Sequence, residues 1–235
     1  MKLIIENLVK NYEQKEVLKG INFEFESGKI YGLLGRNGAG KTTLFNCLNE
    51  DIETTSGEFY LSIGNENKKI DSNDIGYVLS TPIVPDFLTG REFLKFFLDI
   101  NKNKLEHFKS IDEYFDMVKL DKEDRDKLLK EYSHGMKNKM QMLVNIIYNP
   151  KILLLDEPLT SFDVVVAEEM KKLLKQIKKD RILIFSTHIM ELALDLCDEI
   201  VILNDGKLQK VENKDLQKED LKEIIIKTLK GDNND

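Results

Sequence analysis

The alternation of apolar and polar positions divides the chain into short strands followed by helices. Two β-type runs, LIIENLV and INFEF, lie within residues 2–25 and are separated by a polar turn, which predicts antiparallel strands. Apolar runs at 30–34, 151–158 and 181–186 are too short for helices and predict buried parallel strands. An Asp-Gly pair between two strand patterns predicts a hairpin over 200–211.

Helical spacing takes over in the middle and at the end of the chain. Further strand patterns at 57–63 and 75–79 are separated by a polar loop, and after them a loop with two prolines leads into apolar residues at helical spacing. This predicts a mostly helical lobe from about 82 to 148. Charged amphipathic patterns predict two more helices, at 164–179 and 216–229.

Composition adds limits to this picture. With 235 residues and 41% hydrophobic content, the chain can form one large core, so we expect a single domain over 1–230 and a disordered tail at 231–235. The net charge of -7 argues against an electrostatic nucleic-acid binder. Cys47 and Cys197 lie in apolar helical patterns and are predicted to be buried side chains in a reducing compartment.

No stretch approaches 18 uninterrupted apolar residues, and the N-terminus lacks the pattern of a secretory signal. We therefore expect a soluble protein that is not secreted. If it works at a membrane, another chain must supply the spanning helices.

The first candidate for chemistry is GRNGAGKTT, which matches Gly-x-x-x-x-Gly-Lys-Thr between a strand pattern and a helix-compatible run. Backbone N–H groups of such a loop converge on phosphate oxygens, and the helix N-terminus adds positive potential. We expect Lys41 to contact the β and γ phosphates and Thr42 to offer its hydroxyl to Mg²⁺. A glycine-rich turn that binds nothing is the weaker interpretation. The predicted phosphate-binding residues are Gly35, Arg36, Asn37, Gly38, Ala39, Gly40, Lys41, Thr42 and Thr43.

Two strand ends carry the next candidates. Asp156 follows four apolar residues and is predicted to complete the Mg²⁺ shell with Thr42, while Glu157 would polarise a water for in-line attack. The structural alternative is that this acidic pair caps the following helix. His188 ends the next strand pattern, at the sheet edge where a phosphate site is expected, and is placed to contact the γ-phosphate.

Two positions keep two interpretations open. Ser133 precedes a helical pattern in YSHGMKNKMQMLVNIIY, as an N-cap would, and Ser-x-Gly at a helix start is also an anion site. Both can hold together. Tyr12, in the polar turn near the N-terminus, is either an ordinary packing residue or a platform for a base.

The order of these motifs over nearly the whole chain resembles the ATP-binding subunit of an ABC transporter. The matching features are the GRNGAGKTT cradle, the YSHGM signature, the ILLLDEP strand, the loop ending at Asp163 and the histidine His188. The resemblance implies an α/β fold: a P-loop NTPase core with a mostly parallel sheet, an antiparallel β subdomain and a helical signature subdomain. It also makes Tyr12 the adenine-stacking aromatic.

In that family two domains close head to tail over two ATP molecules, and each cradle is completed by the signature of the other subunit. The resemblance therefore implies that Ser133, His134, Gly135 and Met136 act on ATP held by a partner, with Asp163 at the dimer loop. The implied ligands are ATP and Mg²⁺. The implied partners are a second ABC ATPase subunit, identical or different, and an integral membrane permease, with no nucleic acid.

The same resemblance implies an ATPase that powers transport from the cytoplasmic side, peripheral on the inner face of the cell membrane. The YS-x-GM form of the signature resembles ABC-2-type exporters, which favours export of an unidentified substrate. The loop at 80–89, with exposed parts of the helical lobe, is the expected docking site of the permease.

The chain departs from the family pattern at several positions. Ser80 stands where relatives carry a glutamine that contacts Mg²⁺ and the attacking water, so Ser80 is an additional metal candidate with a shorter reach. His134, Met136 and Ser161 replace a glycine, a glutamine and a glycine. We expect slow or differently coupled hydrolysis. The alternatives are an ATP-dependent clamp with weak hydrolysis, a non-transport ABC ATPase acting on DNA or ribosomes, and a small-molecule kinase, which leaves the signature and His188 without a role.

Overall fold

The computed structural model describes residues 1–105, 109–211 and 218–230. Its first sheet has four antiparallel strands in the order β2-β1-β4-β5. Strands β1 (Lys2–Tyr12) and β2 (Lys15–Glu26) pair around a tight turn, and β1 also pairs with β4 (Ser56–Ile63). The edge strand β5 (Glu66–Lys69) is exposed throughout. The sequence pattern predicts a polar loop over these residues, and that prediction is wrong. Pairing with β4 makes them a strand although they include no apolar residue.

The second sheet has six strands in the order β10-β9-β3-β8-β7-β6, and only the pair β9 and β10 is antiparallel. Its central strands β3, β7 and β8 are buried at every residue, as parallel strands with both faces covered should be. The strands are β3 (Ile30–Leu34), β6 (Ile75–Val78), β7 (Ile152–Asp156), β8 (Ile182–Thr187), β9 (Glu199–Asn204) and β10 (Lys207–Val211).

Helices cover both faces of this sheet. The predicted lobe contains α2, α3, a short 3-10 turn and α4, and its first two helices are closed at their N-termini by capping boxes from Thr89 and Ser110. The single-domain division of the chain stays a prediction, and its proposed tail lies outside the described residues. The helices are α1 (Lys41–Leu48), α2 (Gly90–Asn101), α3 (Ile111–Met117), α4 (His134–Tyr148), α5 (Val164–Ile177), α6 (Met190–Leu196) and α7 (Lys218–Lys230).

Alternate residues of the central strands enter two different cores. Along β7, Leu153 and Leu155 pack in the core that contains α4 and α5, whereas Leu154 packs in the core that contains Phe45 of α1. The cores hold the sheet between the helical lobe and the antiparallel sheet. This fixes the carboxyl ends of β3, β7 and β8 at one edge, where the candidate site lies.

The cysteines follow the prediction in part. Cys47 is buried in α1, where burial raises the pKa of its thiol to about 11. Cys197, predicted to be buried, is only partly covered because it lies at the C-terminal cap of α6. Both are free thiols.

Candidate functional site

The loop between β3 and α1 needs glycine for both conformation and space. Gly40, the N-cap of α1, has a φ of 105°, in the left-handed region. A Cβ at Gly40 would lie 2.9 Å from Val17 Cγ1, and one at Gly35 would lie 2.8 Å from the carbonyl oxygen of Leu203. The loop is therefore pressed between β2 and β9, with the first turn of α1 directly behind it.

Lys41 is a buried cation at the base of this loop. Its Nζ donates to the carbonyl of Gly35 at 2.8 Å, and the residue is 7% exposed. Burial lowers the pKa of the Lys41 ammonium, while the charges of Glu157 and Asp156 act in the opposite direction. Lys41 makes no ion pair with any residue that the structure describes, so an anion in the loop is the partner that its charge requires.

Asp156, the last residue of β7, is held by two hydroxyl groups. Thr42 Oγ1 donates to Asp156 Oδ2 at 2.9 Å, and Ser186 Oγ of β8 donates to Oδ1. Carboxylate and hydroxyl oxygens are ligands that suit Mg²⁺. Within the described ranges no cluster of three or more His, Cys, Asp and Glu side chains could hold a metal ion. A Mg²⁺ ion held by Asp156 and the Thr42 hydroxyl would take its remaining ligands from phosphate oxygens and water.

Glu157 and His188 form a contact pair at the adjacent strand ends. His188 Nδ1 lies 2.9 Å from both carboxylate oxygens of Glu157. The backbone of Glu157 is left-handed, with a φ of 52°, and its N–H donates to Ser186 Oγ and to the Ser186 carbonyl at 3.2 Å. The acidic pair does not cap the next helix, because Asp163 caps α5.

Lys41, Asp156 and Glu157 line one cavity of about 520 Å³. Tyr12, at the end of β1, is 45% exposed at its rim and has the ammonium of Lys10 lying 4.9 Å from its ring centroid. Of the predicted residues, the cavity is lined by Tyr12, Asn37, Gly38, Gly40, Lys41, Thr42, Thr43, Ser80, Asp156 and Glu157. Of the residues predicted to contact nucleotide bound to the same chain, Gly35, Arg36, Ala39 and His188 lie outside this lining.

Sequence reasoning missed part of this wall. Lys15 and Val17 of β2 also line the cavity. Ser186 was not singled out, although it bonds both Asp156 and the backbone of Glu157. A hydroxyl residue near the end of a buried strand was the available signal for Ser186. Nothing in the local pattern of β2 indicates which of its residues face the loop.

The signature residues lie apart from this cavity. Ser133 caps α4, its Oγ accepting the N–H of Met136 at 3.2 Å, and Ser133 and His134 are exposed. Gly135 packs closely on the loop before α5, since an added Cβ would lie 3.0 Å from the Ser161 carbonyl oxygen. None of residues 133–136 lines the cavity. The second predicted anion site is thus separate from the first within the chain.

Asp163 caps α5 by accepting the N–H groups of Val165 and Val166 at 2.9 and 3.0 Å. Asp163 itself is exposed, and the following Val164 and Val165 are 80% and 73% exposed. The first turn of α5 therefore presents apolar side chains to solvent, and the loop before it packs on Gly135 of the signature.

Comparisons with known proteins agree with this geometry. The family model described as ABC transporter matches residues 18–160. The uncharacterized ABC transporter ATP-binding protein YxlF of Bacillus subtilis is 32% identical over 232 residues, covering 97% of this chain and 77% of the relative. The bacitracin transport ATP-binding protein BcrA of Bacillus licheniformis is 35% identical over 209 residues, covering 86% of this chain and 66% of the relative.

The same fold occurs in a solved structure described as the dimeric post-hydrolysis state of the ATP-binding cassette MJ0796 bound to ADP and Pi. It superposes with a TM-score of 0.75 at 23% identity and covers 90% of this chain and 99% of that one. The fold, the phosphate loop with its acidic strand end, and the extent of the sequence matches lead to one conclusion: this chain belongs to the ABC transporter family of ATP-binding proteins.

Proposed function

We propose that this chain hydrolyses ATP to power transport of a substrate through a separate membrane permease. The observation that carries the proposal is one cavity in which the phosphate loop, the Thr42–Asp156 pair and Glu157 meet. Each group has a distinct task there. The loop and Lys41 hold the phosphates, and Glu157 faces the place where a water would attack.

The proposed chemistry depends on positioning and charge. Glu157 accepts the proton of the attacking water, and His188, which contacts both Glu157 oxygens, keeps that carboxylate oriented. Thr42 and Asp156 would hold Mg²⁺, which supplies charge stabilisation for the phosphoryl group. Ser186 fixes Asp156 and the backbone of Glu157 together, so the two carboxylates keep their separation.

We further propose that the working unit is a pair of such chains closed head to tail. The signature end of α4 is an exposed helix N-terminus that does not reach the cavity of its own chain. In the proposed pair, this helix N-terminus binds the γ-phosphate of ATP held on the second subunit. The dimeric description of the fold relative MJ0796 supports this arrangement. Identical and different partners are both compatible with it.

The permease is proposed as a separate chain, with this subunit peripheral on the cytoplasmic face of the membrane. Within the described ranges, no helix has the length and apolar character needed to cross a membrane. The loop at 80–89 exposes Ile83 at 74% and Phe87 at 78%, and α2 exposes Phe96 and Ile100. These side chains form an apolar surface suited to docking a membrane partner. The YS-x-GM signature favours export.

The test compares Glu157→Gln with wild type and with a matched control, Glu58→Gln, on the exposed face of β4. We expect ATP turnover in Glu157→Gln to fall about a hundredfold or more while nucleotide binding is retained. Turnover should be unchanged in Glu58→Gln. Equal turnover in wild type and Glu157→Gln would refute the assignment of Glu157. Light scattering should show the blocked variant pairing with ATP alongside its permease.

A second candidate function is an ATP-dependent clamp with weak hydrolysis. It is favoured by Ser80, which lines the cavity at the position where relatives carry glutamine. A serine hydroxyl lacks the amide donors and the reach of glutamine. If Ser80 limits the reaction, Ser80→Gln raises turnover. An unchanged rate means that this substitution is not the limiting defect.

A further inference from the structure

A buried amide joins the signature helix to the strand end beside the cavity. Gln141 lies further along α4 than Ser133 and is 7% exposed. Its Oε1 accepts the backbone N–H of Leu79 at 3.3 Å. Leu79 follows the last residue of β6 and precedes Ser80, which lines the cavity. One side chain of α4 thus holds the backbone that carries Ser80.

The contact between α4 and β6 leaves little room for sliding. A Cβ at Gly76 would lie 2.4 Å from Asn145 Oδ1 and 2.8 Å from Pro150 Cγ. Asn145 Nδ2 in turn donates to the backbone carbonyl of Gln141 at 2.9 Å. Because closely packed elements move together, a displacement at Leu79 is passed to α4 rather than absorbed between them.

The Nε2 group of the Gln141 amide is an unpaired donor in the part of the chain that the structure describes. Nε2 is buried and has no acceptor among the residues that the structure describes. Buried amide donors are normally paired, so an acceptor is expected at this point in at least one state of the protein. The hydroxyl and carbonyl of Ser80, one residue beyond Leu79, are acceptors of the kind that this donor needs.

The same helix holds the opposite side of the site. Asn138, also buried on α4, donates through Nδ2 to the carbonyl of Pro158 at 2.6 Å and reaches Ser161 Oγ at 3.4 Å. Pro158 follows Glu157 directly. Two buried amides of α4 therefore hold two segments of the site: the backbone before Ser80 and the residue after Glu157.

We propose that Gln141 is a positioning residue that couples the Ser80 side of the nucleotide cavity to the signature end of α4. Gln141 does not line the cavity and acts through the backbone of Leu79, which carries Ser80. Nucleotide in the cavity then sets the position of Ser133, and engagement of Ser133 sets the position of Ser80. The inference rests on the proposed function, because the signature acts on ATP held by a second subunit.

The test uses Gln141→Met in the full-length chain, since methionine has a similar length but has no amide oxygen for Leu79 and no N–H donor. We expect kcat to fall about tenfold, and nucleotide affinity of the isolated chain to change by less than about twofold. Cooperativity in ATP should be lost, with the Hill coefficient moving to about 1.

A matched control separates coupling from stability. Met142→Ala removes buried side-chain volume from the same helix and keeps the Gln141 side chain that binds Leu79. It should lower thermal stability but leave the Hill coefficient unchanged. Gln141→Glu, which keeps an acceptor for Leu79 and lacks the Nε2 donor, should give intermediate coupling and serves if Gln141→Met does not fold.

The outcomes distinguish the two proposals. A wild type with normal turnover and ATP-dependent pairing, together with a Gln141→Met variant of unchanged kcat and Hill coefficient, would overturn the coupling role alone. The same holds if Met142→Ala, at an equal loss of thermal stability, reproduces the kinetic defect. A wild type with neither turnover nor pairing would overturn the proposed function and this inference with it.

Discussion

At the scale of single residues, the site brings together side chains whose positions come from different strands. Tyr12 ends an antiparallel strand, Lys41 begins α1, and Asp156 ends a parallel strand. Their residue types could be selected from the sequence because each belongs to a recognisable motif. The contacts among them depend on strand pairing, which joins residues far apart along the chain.

Tyr12 should contribute a stacking surface for the base. Alanine substitution of a stacking aromatic costs about 1–3 kcal/mol, so Tyr12→Ala should weaken ATP binding between about fivefold and a hundredfold. Tyr12→Phe keeps the ring and should bind normally. Inorganic tripolyphosphate has no base, and its binding should not change in either variant. Equal loss of tripolyphosphate affinity in Tyr12→Ala would show that Tyr12 supports the loop instead.

Thr42 should govern the requirement for Mg²⁺. Thr42→Val has the same shape but cannot donate to Asp156 or offer an oxygen to the metal. We expect the Mg²⁺ concentration for half-maximal activity to rise about tenfold. Thr42→Ser keeps the hydroxyl and is the control. Titration of Mg²⁺ at fixed ATP measures the shift. Identical half-maximal Mg²⁺ concentrations for Thr42→Val and Thr42→Ser would contradict the metal role of Thr42.

At the scale of elements, one buried carboxylate with lysine partners helps to fix how strands enter the sheet. Asp74 is buried just before β6 and accepts from Lys151 Nζ at 2.7 Å, from Lys68 Nζ at 2.9 Å and from the N–H of Asp71 at 3.2 Å. Burial raises the pKa of the Asp74 carboxyl, but the hydrogen bonds from Lys151 and Lys68 outweigh it and hold the pKa below 3.8. These contacts join β5, β6 and the start of β7.

Stability should therefore depend on the charge of Asp74. The folded state favours the ionised carboxylate, so its contribution is present above pH 3.8 and is lost as the pH falls through the lower folded pKa. Asp74→Asn should cost about 1–3 kcal/mol at neutral pH, a difference that shrinks in acid. Urea denaturation at several pH values measures it. Asp71→Asn, at an exposed position, should lower the free energy of unfolding by less than Asp74→Asn. An equal loss in both variants would show that the burial of Asp74 does not cause its effect.

At the scale of the whole molecule, the signature and the cavity occupy separate places. Ser133 and His134 are exposed, and residues 133–136 contribute nothing to the cavity wall. The proposed head-to-tail pairing gives each chain the halves of two different pockets. A symmetric pair joins each half to its complement.

This geometry predicts complementation between two inactive variants. The Ser133→Glu variant keeps an intact phosphate loop, but its signature repels phosphate. The Lys41→Ala variant keeps an intact signature, but its phosphate loop lacks the lysine. Each alone should be inactive. An equimolar mixture should regain up to about a quarter of wild-type turnover, because half of the pairs contain one intact pocket of two. Activity that stays absent after mixing, with pairing confirmed by light scattering, would rule out shared pockets.

The sequence by itself determined the local features of this protein. The GRNGAGKTT loop, the short apolar strands and the Ser133 cap are encoded by neighbouring residues, so backbone sterics and hydrophobic periodicity suffice to predict them. The same signals set the order of the motifs, from which the resemblance to the ABC family followed.

Only the tertiary structure decided which residues from distant parts of the chain contact each other. Ser186 reaches Asp156 because β7 and β8 are neighbours, and β5 is a strand because β4 offers it a partner. Gln141 reads as an ordinary helix residue until α4 packs on β6 and brings it to Leu79. Such contacts join residues distant in the chain, and their free energy comes from burial and pairing that exist only after folding.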